Sequence, residues 1–295
     1  YARADWEWFR RGAAAISMGW HPGQGFIARS WDGYNEGMMV NLLALGSPTH
    51  PVAANIWDAW CAPYPQCWRG SGDTRRLAFA PMFGHQYSQM WIDFRGIRDA
   101  AMRAAGLDYF ENSRRETWAQ RSYAIRNPMG WDGYSRDVWG LTACVGPADV
   151  EHDFKGTQRS FRSYSARGPI DEPDGYDDGT IAPTAAIGSL AFAPEIVVPA
   201  TLAMHARYGP WLYGDYGFYD AFNPSFRWSD KPVQLGVVDP ARGWVSRNYL
   251  GIDQGPILGA IANAKEDFIW RTMRRSGPIR LGLQRAGFTG GWLAA

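Results

Sequence analysis

The sequence predicts an all-α protein made of helix pairs arranged in a ring, with the connecting loops gathered at one end. Three observations lead there. Apolar residues recur at helical spacing in segments of about 8–20 residues, whereas convincing apolar–polar alternation is scarce. Between these segments stand loops rich in aromatic, acidic and glycine residues, returning at intervals of roughly 40–60 residues. The signatures of sheet-based nucleotide and hydrolase folds are missing: there is no G-x-G-x-x-G after a strand, no P-loop and no G-x-S-x-G.

In order, residues 1–18 read as the end of a helix carrying Trp6, Trp8 and Phe9, without a cap signal. Residues 19–30 are a turn-rich loop leading to 31–51, WDGYNEGMMVNLLALGSPTHP, the stretch around which the chain is organised. Met38, Met39, Leu42, Leu43 and Leu45 fall on one stripe, so a helix is expected over 38–45, stopped by Gly46. Asp32 and Glu36 share a face of it if the first turn already includes Asp32. Carboxylates there suit the helix dipole; beside Trp31 and Tyr34 they suit equally the edge of a sugar-binding cleft.

A second helix is expected over 52–60, then a Gly- and Pro-rich loop in which Cys61 and Cys67 bracket APYPQ. Whether that pair closes a disulfide is for loop geometry to decide. Residues 77–83 are a short apolar piece. Residues 99–105 read as a helix ended by Gly106. Asn112 or Ser113 then caps a helix over 114–124. The loop 127–139 repeats the tetrad WDGY of 31–34, but the flanks differ and there is no internal repeat. Residues 146–179 are polar and irregular, and their PDGYDDG run lacks the spacing of an EF-hand. Helices follow over 184–192 and 194–208, an aromatic–acidic stretch over 211–223, an irregular one over 225–248, and a helix of about six turns over 252–274.

The chain has 295 residues, and its 46% hydrophobic and 20% charged content is ordinary for a globular protein. Its aromatic content is not: 16 Trp, 14 Tyr and 14 Phe make up 15% of it. Trp31, Trp68, Trp131 and Trp228 lie in polar, Gly-containing contexts, where indoles serve as flat faces for sugar rings. About half of the tryptophans are expected in the core, as in any large domain. A net charge of +1 with no long run of either sign argues against nucleic acid or an anionic membrane as partner. No stretch is apolar for long enough to span a bilayer. With no CxxC, no HExxH and scattered histidines, neither metal nor cofactor is expected. No signal peptide is visible, and sequence preceding Tyr1 is expected.

Taken together, SMGW, WDGYNE, LLALGSPTHP, WIDFRG, DYFENS, YAIRNP, DDGTIAPTAA, YGFYDAFN, GIDQGPI and RAGFTGGWL closely resemble the glucoamylase-like domain of glycoside hydrolase family 144. A related domain occurs in cyclic β-1,2-glucan synthases. The resemblance covers nearly the whole chain. It implies an (α/α)6 barrel, action on β-1,2-glucan, an inverting mechanism and a bacterial, periplasmic or secreted setting. It also implies a single catalytic domain over 1–295 that lacks the first helices of the ring.

An inverting glycosidase needs a protonated carboxyl for the leaving oxygen and an ionised one to activate water. Glu36, flanked by Trp31 and Tyr34, fits the acid, and the resemblance places the family's key glutamate in this motif. The base is Asp220 or Asp253, and the resemblance favours Asp220. Asp32, Glu111 and Asp178 are candidates for sugar hydroxyls. Trp31, Tyr34, Arg95, Trp131, Tyr134, Arg167 and Tyr216 are candidates to line subsites. Asp93 is expected to pair with Arg95 or Arg98 for structural reasons. A β-1,2-glucan transglycosylase and a glucan-binding protein without turnover are the competing readings. Oligomeric state is not set by the sequence.

Overall fold

Helices joined by short antiparallel strands make up the computed structural model, which describes residues 1–228, 230 and 232–294. The chain divides into two compact units. One comprises Tyr1–Ala78, Tyr87–Ser113 and Asp267–Ala295; the other comprises Phe79–Gln86 and Arg114–Glu266.

In the first unit the helix Met38–Leu45 forms where its apolar stripe predicts, and buries Met38, Leu42, Ala44 and Leu45. Its N-cap is Gly37, so Asp32 precedes the helix and does not share a helical face with Glu36. The helix Gly277–Arg285 packs against it. Glycines set how closely the two backbones approach: a Cβ on Gly282 would lie 2.1 Å from Leu42 O, and one on Gly46 2.0 Å from Pro278 O. Arg285 Nη1 donates to Leu45 O at 2.6 Å, satisfying a carbonyl that the helix end leaves open.

The N-terminal segment corrects the sequence reading. Its helix is only Trp6–Arg10, and it does carry a cap, since Asp5 Oδ1 accepts from Trp8 N at 3.1 Å. The following residues form short strands, Ile16–Ser17 pairing with Ser30–Trp31 and Trp20–His21 with Gly25–Phe26. The helix at 52–60 is shorter than expected, Ile56–Cys61. Asp99 caps Ala100–Ala105 through Met102 N (2.8 Å), and Gly106 ends that helix in the left-handed region. Asp99 also accepts from Trp57 Nε1 (2.9 Å) and Tyr109 OH (2.8 Å), making a buried polar centre of this unit. Cys61 and Cys67 are thiols, directed at Asp99 Oδ2 and Pro63 O.

The long helix Tyr109–Arg126 starts earlier than Asn112 or Ser113 suggested. Asp108 is the capping residue, accepting from Glu111 N at 2.8 Å. Asn112 is committed instead to the backbone of Leu77, with bonds of 2.6 and 2.9 Å. The six-turn helix is broken as well: Asp267, at φ +53°, separates Gly251–Glu266 from Phe268–Met273.

In the second unit Pro194–Tyr208 is helical as expected, while the helix before it shrinks to Pro183–Ile187. Stretches read as irregular contain sheet. Val150–Phe154 and Thr157–Phe161 form a hairpin turned at Lys155 and Gly156, both with positive φ, as a two-residue hairpin loop requires. Ala143–Val145 pairs with Tyr164–Ala166. Phe222–Asn223, Gly243–Val245 and Val237–Asp239 make a three-stranded sheet with Gly243–Val245 in the middle. Strands of two to five residues are too short to display a period in the sequence.

Candidate active site

In the second unit, the two aspartates that the sequence offered as alternatives form a pair. Asp220 stands just before Phe222–Asn223, held by Asp220 N donating to Asn248 O (2.9 Å) and Ser246 N donating to Ala221 O (3.0 Å). Asp253 lies in the first turn of Gly251–Glu266, where Thr184 Oγ1 donates to its carbonyl at 2.9 Å. Both are buried. Asp220 Oδ2 accepts from Val145 N at 2.9 Å, while Asp220 Oδ1 is buried with no N–H or O–H donor of the described residues bonded to it.

The Asp253 carboxyl interacts with that of Asp220. Burial, then the hydrogen bond to Asp220 and the charge of Asp220, push its pKa up to about 8. Burial raises Asp220 too, but the bond from Asp253, the Val145 N–H and the positive charge of Arg167 pull the other way. Burial therefore raises both carboxyls of the pair, and the interaction between them raises Asp253 further while opposing the rise of Asp220. Like charges this close do not both ionise, and environments that drive two pKa values apart are what acid–base chemistry uses.

Around the pair lies a framework of buried polar groups. Arg167 and Asp178 are fully buried and joined by two bonds, Nε to Oδ1 at 2.7 Å and Nη2 to Oδ2 at 2.8 Å. Arg167 also donates to Cys144 O, Ser165 O and Arg162 O. These bonds occupy the guanidinium, so neither Arg167 nor Asp178 offers a group to a sugar, unlike the subsite role expected of them. Trp131 is likewise buried, packed on Phe154 and Phe161, and is a core residue despite its polar sequence context. Tyr134 OH donates to Asp177 Oδ1 at 2.7 Å, and Tyr123 OH to Asp177 Oδ2 at 2.8 Å. Burial pushes Asp177 up to about 6 against these bonds. The sequence reading passed over Asp177 because its partners lie in other loops and helices. Tyr216 is exposed, its ring edge-on to Tyr249.

In the first unit Glu36 is half-buried, and burial raises its pKa, offset in part by its own backbone N–H. Ser88 Oγ fixes the local chain, donating to Glu36 O (3.2 Å) and accepting from Met39 N (3.1 Å). Trp31 is half-buried with its ring over Gly37, where a Cβ would come within 2.3 Å of it. Asp32 is exposed, while Tyr34 is buried and stacked on Tyr109, with ring centres 5.7 Å apart. Glu111 is half-buried in the first turn of its helix. Arg95 is committed to Asp93 and Asp267, with its guanidinium 4.3 Å from the centre of the Trp270 ring. Asp93 also pairs with Arg274. Among the described residues no cluster has the make-up of a metal site, and no helix is long and apolar enough to cross a membrane.

Known proteins resemble this chain along nearly its full length. An exo-β-1,2-glucooligosaccharide sophorohydrolase (non-reducing end) of Parabacteroides distasonis is 24% identical over 97% of this chain and 38% of its own length. A solved "putative glucoamylase" from Bacteroides uniformis is 30% identical with a TM-score of 0.77, over 98% of this chain and 63% of that one. An endo-β-1,2-glucanase from Chitinophaga pinensis, solved with sophorotriose and glucose, is 26% identical with a TM-score of 0.79, over 98% and 63%. The chain thus spans less than two thirds of the length of each of these relatives. The profile of the family described as "Putative glucoamylase" matches residues 28–277, most of the chain, and the protein belongs to that family.

Proposed function

We propose that the protein is a glycoside hydrolase that cleaves β-1,2-glucan by an inverting, two-carboxylate mechanism on an (α/α)6 frame. Cleavage is either internal or releases sophorose from a chain end. The observation that carries this reading is the buried Asp220–Asp253 carboxyl pair, both members raised by burial, in a family whose relatives include enzymes named for β-1,2-glucan and its oligosaccharides. Asp220, kept ionised, has the character of a base toward water. Asp253 holds the proton that keeps the pair from repelling itself. Glu36 is assigned proton donation to the leaving oxygen, and its raised pKa supports that role. Trp31, Asp32, Tyr34, Glu111, Tyr134 and Tyr216 are the remaining candidates for sugar contacts, and a periplasmic or secreted location is part of the reading.

The test is release of reducing ends from linear β-1,2-glucan by the protein, with products separated by size. A rise in reducing ends establishes hydrolysis, and the size ladder separates internal cutting from sophorose release. Redistributed chain lengths without such a rise mark a transglycosylase. An unchanged glucan that the folded protein still binds marks a binding protein.

A further inference from the structure

One peptide group links a buried cation to the carboxyl pair. The carbonyl of Cys144 accepts from Arg167 Nη1 at 2.8 Å, and the N–H of that same peptide, carried by Val145, donates to Asp220 Oδ2 at 2.9 Å. In a trans peptide the C=O and N–H point in opposite directions, so the group stands in line between guanidinium and carboxylate. We propose that Arg167 is a positioning residue that lowers the proton affinity of Asp220 through the Cys144–Val145 peptide, biasing the carboxyl pair toward holding a proton on Asp253.

The inference rests on the reading of this pair as the acid–base centre. A cation at the carbonyl end polarises the peptide and strengthens its N–H as a donor, by ~10–30% per bond in such chains. A stronger donor favours the charged form of its acceptor. Asp178 neutralises the cost of burying Arg167 and occupies its Nε and Nη2, leaving Nη1 to face Cys144. The other titratable groups acting on the pair do not compete for this polarity. Burial holds the Cys144 thiol and the Tyr164 hydroxyl, on the paired strands Ala143–Val145 and Tyr164–Ala166, in their neutral forms. Asp178 holds its charge against Arg167.

The experiment follows carboxyl titration by carbon-13 NMR of aspartate-labelled protein and the Val145 amide proton by nitrogen-15 labelling. In the unaltered protein the Val145 amide is expected far downfield and moving with the titration of Asp220. An amide indifferent to that titration overturns the proposal. Val145→Pro removes the N–H and leaves the Arg167–Asp178 pair in place, and Arg167→Met removes the charge. Each is expected to raise the Asp220 midpoint by about one pH unit or more, a tenfold change in proton affinity. A folded Val145→Pro with an unmoved midpoint also overturns it, and if neither variant folds, the amide of the unaltered protein decides. These readouts need no substrate, so loss of the glucanase reading leaves this test intact. If hydrolysis is observed, the acidic limb of kcat/KM is expected to shift to higher pH in Val145→Pro.

Discussion

At the scale of single residues, each of the three carboxyls in the proposed mechanism makes a separate prediction. Glu36→Gln removes the proposed proton donor with little change of shape. Glucan turnover is expected to fall by about 10³-fold or more, while affinity stays within an order of magnitude, as rate and binding assays would show. Asp220→Asn is expected to abolish turnover, since it removes the proposed base and places an amide against Val145 N–H. Asp253→Asn keeps a neutral donor toward Asp220 Oδ1 and is expected to retain more activity than Asp220→Asn. The reverse ranking would transfer the base role to Asp253. Both aspartates could be picked out as candidates because each stands in an aromatic or Gly-rich loop mouth. That they are partners could not, because nothing local in YGFYDAFN or GIDQGP refers to the other.

At the scale of elements, close helix contact in the first unit depends on two glycines. A methyl group on Gly282 would meet Leu42 O at 2.1 Å, and that atom is backbone and has little room to move. Gly282→Ala is therefore expected to destabilise the protein by about 1–3 kcal/mol, the usual cost of overpacking, and thermal unfolding would register it. Gly282→Ala raises helix propensity, so a stabilised variant would show that the contact yields easily. Helices were the elements best read from sequence: Met38–Leu45 and Pro194–Tyr208 stand where expected. The misses have identifiable causes. Asp108 won the cap because Asn112 is drawn to Leu77, and Asp267 broke a continuous pattern by adopting a left-handed backbone.

At the scale of the whole molecule, the buried carboxyls link stability to pH. Asp253 and Asp177 hold their protons in the folded protein up to about pH 8 and 6 respectively, whereas an unfolded chain releases them near pH 4. Between those limits the native state binds more protons than the unfolded one, so stability falls as pH rises. The Tm is expected to be higher at pH 5 than at pH 8, and Asp253→Asn is expected to flatten that decline. A Tm in Asp253→Asn as steeply dependent on pH as the original would place the linked proton elsewhere.

The sequence by itself determined the helical segments, the family resemblance and the candidate carboxyls, because periodicity, caps and motifs act over a few neighbouring residues. Only the tertiary structure decided that Asp220 and Asp253 are buried as an interacting pair, that Arg167 and Asp178 are turned inward, and that Trp131 is core. Such contacts join distant positions, as Val145 and Asp220 do across 75 residues. Whether a carboxyl is ionised depends on its burial and on the charges brought beside it, and folding alone sets both.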